Sequence, residues 1–333
     1  MHESPLTSQQ KLSPGCISCQ AGKWLCLFLT YRCQGGCAFC PAPYQDDRTV
    51  TEYGASLEEV LEGMESVTFT GVAFSGGDCF LAPERLLRWL NEIHRLHPHV
   101  YYWVYTNGRA ATPALMEELA RYGLNEIRFN LAATGYDDAA VWRNMQIAVQ
   151  IFPHVAVEIP SIPDHFEQVC KMLPGLEKMG IHYLNLHEYI VQQDDKNAHS
   201  IPFNLLDRIC YDAKSLENTE KIIHFCTSNR LNLIINNCSI AQKEEQMRQR
   251  RLRWAQQVKR PHEVINAEGL LETCCKRKHL DALRDGGVDT IPSSDFLPPQ
   301  QQVDDRHVRV VMMPPLMKEG VRQIVRIVRI MTE

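Results

Sequence analysis

Three of the chain's 13 cysteines, Cys33, Cys37 and Cys40, lie within eight positions. The first gap between them holds three residues, including Gly35 and Gly36, and the second holds two. A structural zinc ion normally takes four ligands from two separated pairs, so these thiols would need a distant histidine or cysteine to complete a zinc site. An iron–sulfur cubane can instead be held by three thiolates, with its fourth iron open to another ligand. Glycines in the loop would let the backbone wrap closely around such a cluster.

Other polar residues that could take part in chemistry follow apolar runs of the sequence. They are Ser75 to Asp78 (SGGD), Thr106 to Gly108 (TNG), Asn130, Glu158 to Pro160, and Asn185 to Glu188. Among them, His187 and Glu188 are candidate catalytic residues that could bind a substrate or donate a proton to it, although a purely structural histidine explains His187 equally well.

The apolar runs themselves predict strands at 24–30, 72–75, 100–106, 126–132, 155–160 and 183–189. Helical patterns lie between them; one starts at a capping box of Ser56 and Glu59, and another contains Pro174, which should kink or split it. Six alternations of strand and helix predict an α/β fold with a parallel sheet, a partial (β/α)6 barrel of the TIM type with a C-terminal extension. The polar residues at the strand ends should then face one mouth.

Beyond about residue 200 the alternation loosens, which predicts three regions: an N-terminal segment 1–23, a barrel 24–240, and a basic helix with a C-terminal extension over 241–333 that covers the barrel. Between 240 and 260 there are seven Lys or Arg against two Glu. These charges are expected on a solvated face, with contact to a phosphate, an RNA or an acidic peptide as the alternative. The Val-, Ile- and Arg-rich tail fits either a strand or a helix.

Composition excludes several classes of protein. The net charge of -5 gives no global reason to bind nucleic acid, and no stretch of about 18 apolar residues or secretory signal is visible. We therefore expect a cytoplasmic protein that is not bound to a membrane. An odd number of scattered cysteines argues against a disulfide framework and leaves metal binding, catalysis or burial to explain them.

The Cys-x3-Cys-x2-Cys pattern, with the aromatic Phe39 before its last thiol and a predicted strand before its first, resembles that of the radical S-adenosylmethionine (radical SAM) enzymes. The resemblance covers roughly residues 24–190. It implies that the three thiols hold a [4Fe–4S] cluster and that S-adenosylmethionine chelates the open iron. One electron from the cluster then cleaves this cofactor to methionine and a 5′-deoxyadenosyl radical, which abstracts a substrate hydrogen.

The same resemblance assigns residues one by one. Cys33, Cys37 and Cys40 match the cluster ligands, and Phe39 matches the aromatic beside the adenine. The SGGD segment, Ser75, Gly76, Gly77 and Asp78, matches the motif that receives the methionine amino group, although the family more often has Glu where this chain has Asp78. Thr106, Asn107 and Asn130 lie where the family contacts the sugar or the carboxylate.

Within the family, EIPSIP, LNLHE and the segment from INNCSIA onward resemble proteins related to the pyruvate formate-lyase activating enzymes, as does an upstream Cys16-x2-Cys19. Cys16 and Cys19 could form a second metal site with Cys274, Cys275 or His279; thiols without metal are the alternative.

These observations predict a radical SAM enzyme acting on a small molecule or a peptide, with an external one-electron donor of the flavodoxin or ferredoxin type. Activation of a glycyl-radical enzyme, RNA modification and, more distantly, a non-enzymatic metal or electron-transfer protein are the alternatives. No cobalamin-binding domain is evident, which disfavours methyl transfer through cobalamin.

Overall fold

The fold was analysed in a computed structural model, which describes residues 12–40, 56–191, 198–203, 207–284, 288–298, 306–314 and 324–329. In chain order the helices and strands are α1 (Pro14–Gln20), β1 (Trp24–Thr30), α2 (Leu57–Ser66), β2 (Gly71–Gly76), α3 (Pro83–Leu96), β3 (Tyr101–Thr106), α4 (Pro113–Arg121), β4 (Glu126–Phe129), α5 (Ala139–Ile151), β5 (His154–Ser161), α6 (Phe166–Met179), β6 (Tyr183–Glu188), β7 (Ala198–Phe203), β8 (Asp207–Asp212), α7 (Ser215–Ser228), β9 (Ile234–Cys238), α8 (Ile240–Val258), β10 (Val264–Ile265), β11 (Leu271–Lys276), α9 (Leu280–Arg284), β12 (His307–Met312) and β13 (Ile324–Arg329).

Seven strands form one parallel sheet in the order β1-β2-β3-β4-β5-β6-β9. The six predicted strands are confirmed, and β9 adds a seventh after β6. The sheet is open, with β1 and β9 as its edges, and the fold is the predicted partial barrel. Residues that alternate along each strand face either the helices outside or the interior of the barrel, which we call the lumen.

Local signals explain where several helices begin. Ser56 and Glu59 form the predicted capping box at the start of α2. Pro174 does not split its helix, because α6 continues through this residue from Phe166 to Met179. Leu173 and Leu176 on either side are fully buried, so tertiary packing holds the helix together across the missing hydrogen bond.

Helix α1 closes the end of the barrel where the strands begin. Its Ser18 hydroxyl lies 2.9 Å from that of Thr70, just before β2, and Ser13 before the helix donates to Glu126 at the start of β4. The Cys16 thiol donates to Asn185 on β6 over 3.3 Å. Helix α1 therefore covers the lumen on the side where the strands begin.

Helix α8 differs from the expectation of a solvated basic face. Arg250 and Arg251 are 2% and 3% exposed. The guanidinium of Arg250 stacks on Trp24 of β1 at 4.4 Å from the ring centre, and Arg251 donates to the Glu268 carbonyl. Two of the seven basic residues thus pack inside the protein because aromatic and carbonyl partners receive them.

The C-terminal part adds a four-stranded antiparallel sheet, β10-β11-β12-β13, and β7 and β8 pair as a separate antiparallel hairpin. The tail, whose type the sequence left open, is strand β13. In the described parts of the chain, no helix combines the length and apolar character needed to cross a membrane.

Candidate active site

The cysteine loop leaves β1 at Thr30 and brings two of its three thiols around one glycine. A Cβ built on Gly35 would lie 3.2 Å from the Cys37 sulfur and 3.6 Å from the Cys33 sulfur, so both sulfurs flank this position. Cys33 is exposed, and Cys37 and Cys40 are half-buried. Burial, and then the neighbouring Cys33 and Cys40 thiols, raise the pKa of Cys37 above its ordinary value. Three interacting thiols that gain from being bound as metal thiolates suit a metal centre.

Two kinds of metal centre could use these thiols. Thiolates on one zinc ion would lie about 3.8 Å from each other, given Zn–S bonds of about 2.3 Å in a tetrahedron. Within the described residues, no three His, Cys, Asp or Glu side chains gather closely enough to hold one metal ion. In a cubane each thiolate binds a different iron and one iron can stay open, so the number of thiols, and not their separation, favours the cluster.

Two glycines hold the start of this loop against the end of β2. Gly77 N–H donates to the Thr30 carbonyl over 2.6 Å, and Asp78 N–H donates to the Arg32 carbonyl over 2.8 Å. A Cβ on Gly77 would lie 2.1 Å from the Arg32 oxygen, and one on Gly76, whose φ is +117°, would lie 2.2 Å from the Thr30 oxygen. Only glycine allows this approach at either position.

Replacing Gly77 with alanine should therefore displace the segment that leads into Cys33. We expect a loss of about 1–3 kcal/mol in unfolding free energy, as for other overpacked sites. Iron bound after anaerobic reconstitution should fall as well. Gly180→Ala is the matched control, because its φ of +91° strains an alanine at the end of α6, outside the cysteine loop, and a Cβ there meets no atom within 4 Å. Equal iron content in the two variants would contradict the positioning role of Gly77.

Asp78 is buried and ties β2 to β3. Its carboxylate accepts the Thr106 hydroxyl and the backbone N–H groups of Asn107 and Phe80, each over 3.0 Å. Burial raises the pKa of Asp78 above its usual range, and the hydrogen bonds from Asn107, Phe80 and Thr106 oppose the rise. Both oxygens are thus engaged within the protein, so Asp78 and Thr106 connect the ends of β2 and β3. Their expected contact with the cofactor stays a prediction.

Asn107 links this network to the cysteine loop. Its side-chain amide donates to the Cys33 sulfur over 3.8 Å, while its side-chain oxygen accepts the Arg109 N–H over 2.9 Å. Asn130 accepts the Ala133 N–H over 3.3 Å and caps the turn after β4. Ser75 lies in β2 on the side of Ala73, towards the lumen, and its carbonyl accepts the Cys79 thiol.

A cavity of about 390 Å³ opens beside the cysteine loop, and Phe39 is one of its walls. The other walls come from the segment after β5 and from the region between β6 and α7, and they are Ala38, Ile162, Pro163, Asp164, His165, Tyr189, Asp212 and Lys214. The volume is in the range of small-molecule and cofactor sites. The sequence predicted a site role for Phe39 alone among these walls. Ile162 and Pro163 entered only through the EIPSIP resemblance, and the rule that sites follow strand ends could have extended to the others.

Comparison with known proteins places this geometry in a family. Residues 27–168, which contain the three thiols, the SGGD segment and the Phe39 side of the cavity, match the family described as "Radical SAM superfamily". The chain contains a radical SAM domain. This superfamily implies a [4Fe–4S] cluster and S-adenosylmethionine as cofactors, as the resemblance in sequence also did.

One curated relative, from Methanocaldococcus jannaschii, is named as a glycyl-radical enzyme activating enzyme. Its sequence is 26% identical to this one over 281 residues, which cover 78% of this chain and 72% of the relative's length. Among solved structures, Streptococcus suis SuiB bound to S-adenosylmethionine has a TM-score of 0.49 at 13% sequence identity. The match covers 65% of this chain and 50% of the SuiB chain. Methylornithine synthase (PylB) has a TM-score of 0.45 at 12% identity, with 68% of each chain covered.

The lumen of the radical SAM barrel holds a buried ionic network. Arg128 on β4 contacts Glu126 over 2.5 Å and Glu158 on β5 over 2.9 Å. Glu158 also accepts the Asn185 amide over 3.0 Å, and Asn185 in turn accepts the Cys16 thiol. The network thus joins β4, β5 and β6 to helix α1. Glu158 and Asn185 were among the polar residues expected at strand ends, whereas Glu126 and Arg128, spaced by two in a predicted strand, were not.

The two candidate catalytic residues on β6 face opposite ways. His187 faces the lumen, where burial and then the Lys243 ammonium lower its pKa to about 4, so it is neutral near pH 7. Glu188 is buried, and its carboxylate accepts the Ile240 N–H over 2.5 Å at the start of α8. Glu188 therefore fixes α8 to the sheet, and the expected catalytic role for it is not supported by its position.

Histidine 187 should make stability depend on pH. An unfolded histidine has a pKa of about 6.5, so between pH 6.5 and about 4 the unfolded chain binds a proton that His187 in the fold does not. The contribution of His187 to the unfolding free energy is therefore fully present above pH 6.5 and is lost as the pH falls from 6.5 to about 4. In His187→Asn this loss should shrink by up to about 3 kcal/mol, measured by urea unfolding at several pH values. His224→Asn, at an exposed site on α7, should keep the wild-type slope. Identical slopes for His187→Asn and wild type would refute the assignment.

The suggested second metal site is not assembled. Cys19 on α1 donates to Gln246 of α8, and Cys16 donates to Asn185. Cys274 and Cys275 lie on β11 of the C-terminal sheet, and His279 after them pairs with Asp295 at 2.8 Å. Among the described side chains these thiols do not form a group able to hold an ion.

Proposed function

We propose that this radical SAM enzyme holds its cluster on Cys33, Cys37 and Cys40, binds S-adenosylmethionine in the cavity beside Phe39, and abstracts hydrogen from a small molecule or peptide at the mouth of the barrel. The observation that carries the proposal is the cysteine loop, fixed by Gly76 and Gly77, opening directly onto a cofactor-sized cavity.

The chain's own residues would divide the work as follows. Cys33, Cys37 and Cys40 would bind three irons of the cluster. The Asn107 amide donates a hydrogen bond to the Cys33 sulfur, and hydrogen bonds of this kind influence the reduction potential of a cluster. Phe39 flanks the adenine. When bound, the cluster and S-adenosylmethionine supply the radical that abstracts hydrogen, and the protein positions the target carbon and excludes water.

The test is anaerobic reconstitution followed by incubation with S-adenosylmethionine and dithionite. We expect about four irons per chain and formation of 5′-deoxyadenosine and methionine. Tightly bound zinc, or a cluster without turnover of S-adenosylmethionine, would instead support the metal or electron-transfer alternative. In the cell, a cytoplasmic flavodoxin or ferredoxin would replace dithionite.

Activation of a glycyl-radical enzyme is the second candidate, because the relative at 26% identity carries that name. It predicts that the reduced enzyme with S-adenosylmethionine generates a glycyl radical, visible by electron paramagnetic resonance, in a glycyl-radical enzyme encoded beside it. RNA modification is less well supported, because Arg250 and Arg251 of the basic helix are buried.

A further inference from the structure

His165 offers one ring nitrogen to the cavity beside Phe39. It ends a short turn after β5, in which its backbone N–H donates to the Ile162 carbonyl over 3.0 Å. Its side chain is half-buried and forms a wall of the same cavity as Phe39. Nδ1 of the ring lies 3.0 Å from the Tyr136 hydroxyl, whereas Nε2 has no hydrogen-bond partner among the described residues and is not enclosed by them. This second nitrogen is therefore available to a ligand.

Tyr136 holds the His165 ring from the protein side. Only 5% of Tyr136 is exposed, and the two rings meet edge to face with their centres 5.5 Å apart. The Trp142 indole N–H donates to the Tyr136 carbonyl over 2.8 Å, and the Tyr136 N–H donates to the Leu131 carbonyl over 2.9 Å. These bonds keep Tyr136 at a φ of +73°, which a residue with a side chain rarely adopts. Such a conformation, fixed by its surroundings, is typical of functional sites.

The buried phenol decides which nitrogen of His165 carries the hydrogen. Burial raises the pKa of Tyr136, so its hydroxyl stays protonated near pH 7. Among the described residues this hydroxyl contacts one group only, Nδ1 of His165, and a buried hydroxyl needs an acceptor. Tyr136 therefore donates to Nδ1, and a neutral imidazole that accepts at Nδ1 carries its hydrogen on Nε2. His165 thus provides the cavity with a hydrogen-bond donor.

The carboxylates among the cavity walls do not use this donor. Asp212 is 7% exposed, and its Oδ1 accepts the backbone N–H of Lys214 over 2.7 Å. In the part of the chain that the structure describes, neither Asp212 nor Asp164 makes an ion pair or a hydrogen bond with His165. The acceptor for Nε2–H is therefore left to a ligand that enters the cavity.

We propose that Tyr136 orients His165 so that its Nε2–H donates to an acceptor on the adenosine part of S-adenosylmethionine. The inference rests on the proposed function, which places this cofactor beside Phe39. An aromatic ring face accepts any flat base, whereas a directed donor selects a ligand by the position of its nitrogen and oxygen acceptors. Phe39 and His165 line one cavity of about 390 Å³, so both can reach one nucleoside. His165 is then a binding residue, and Tyr136 is a positioning residue.

The experiment is equilibrium dialysis of labelled S-adenosylmethionine against the anaerobically reconstituted, unreduced enzyme, which measures binding without turnover. His165→Ala should weaken binding about tenfold, as expected for a lost hydrogen bond in a partly buried site. His165→Gln, whose side-chain amide can donate from about the position of Nε2, should recover part of the affinity. His182→Ala, at an exposed site before β6, should bind the cofactor like the wild type.

Analogues of the cofactor identify the acceptor. The probes are S-adenosylmethionine with a single adenine ring nitrogen replaced by CH, or with the ribose 2′- or 3′-hydroxyl removed. One of them should bind the wild type about tenfold more weakly and bind His165→Ala without this loss, because variant and analogue remove the same hydrogen bond. Equal affinities of His165→Ala and wild type for the cofactor, or additive effects of the variant with every analogue, would overturn the proposal.

Tyr136→Phe tests the positioning role. Nuclear magnetic resonance of enzyme with isotope-labelled histidine, at a pH where histidine is neutral, should show the Nε2–H form of His165 in the wild type and a mixture of both forms in the variant. Binding of S-adenosylmethionine should weaken less than in His165→Ala. The same Nε2–H form in both proteins would refute the role of Tyr136. A wild-type enzyme that binds no S-adenosylmethionine would overturn the proposed function as well, whereas one that forms 5′-deoxyadenosine with His165→Ala unimpaired in binding would overturn this inference alone.

Discussion

Replacing Cys37 with alanine is expected to abolish the cluster and, with it, cleavage of S-adenosylmethionine. Cys37 is the middle thiol of the loop, and its sulfur flanks Gly35 together with that of Cys33. Two remaining thiols would leave two irons of a cubane without protein ligands. Because loss of outer contacts alone typically costs 10–100-fold in metalloenzymes, we expect 5′-deoxyadenosine formation to fall by more than about a hundredfold. Iron analysis, the absorbance of the reconstituted protein and product formation measure the effect.

A matched control separates ligation from the general effect of losing a thiol. Cys170 on α6 is buried, lies outside the cysteine loop, and has its pKa raised to about 11 by burial. Cys170→Ala should lower stability slightly and retain both the cluster and the turnover. If Cys37→Ala still bound four irons and cleaved S-adenosylmethionine, the ligand assignment would be wrong.

The sequence alone predicted those features of the structure that depend on residues close together in the chain. Six buried strands, the capping box at Ser56 and the family resemblance all followed from short segments, and the family and the fold are confirmed. The close approach of Gly77 to Arg32 could be suspected from two adjacent glycines after a strand. The predicted region boundaries at residues 23 and 240 stay a prediction.

Long-range partners account for what the sequence did not reveal. Charge counting could not predict that Arg250 would stack on Trp24, which lies 226 positions earlier. The hydrogen bonds of Asp78 to Thr106 and Asn107 could not be predicted either, because these partners belong to another strand end. Hairpin β7–β8 lies in a region where the pattern was weak, yet Asp212 at its end and Lys214 beyond it line the cavity beside Phe39.

The ionic network in the lumen was available to sequence reasoning but not recognised. Strand β4 reads EIRF, which places Glu126 and Arg128 on one face. In a parallel sheet covered by helices neither face is solvated, so both charges require partners. Ser13, Tyr101 and Glu158 provide them, from three separate segments. Arg128 also lies 5.1 Å from the ring centre of Trp103, so its charge is enclosed on every described side.

Removing this charge should therefore have the largest effect on folding. Arg128 is 4% exposed, and Arg128→Leu would leave Glu126 and Glu158 without their cation in a desolvated lumen. We expect a loss of about 3–5 kcal/mol in unfolding free energy, measured by urea denaturation with tryptophan fluorescence. Adding Glu126→Gln and Glu158→Gln should restore part of the lost unfolding free energy, because the uncompensated charges disappear.

The control is a surface ion pair. Arg248→Leu, which removes an exposed ion pair with Glu245 on α8, should cost less than about 1 kcal/mol of unfolding free energy. Similar losses at positions 128 and 248 would show that packing around Arg128, rather than its charge, stabilises the barrel.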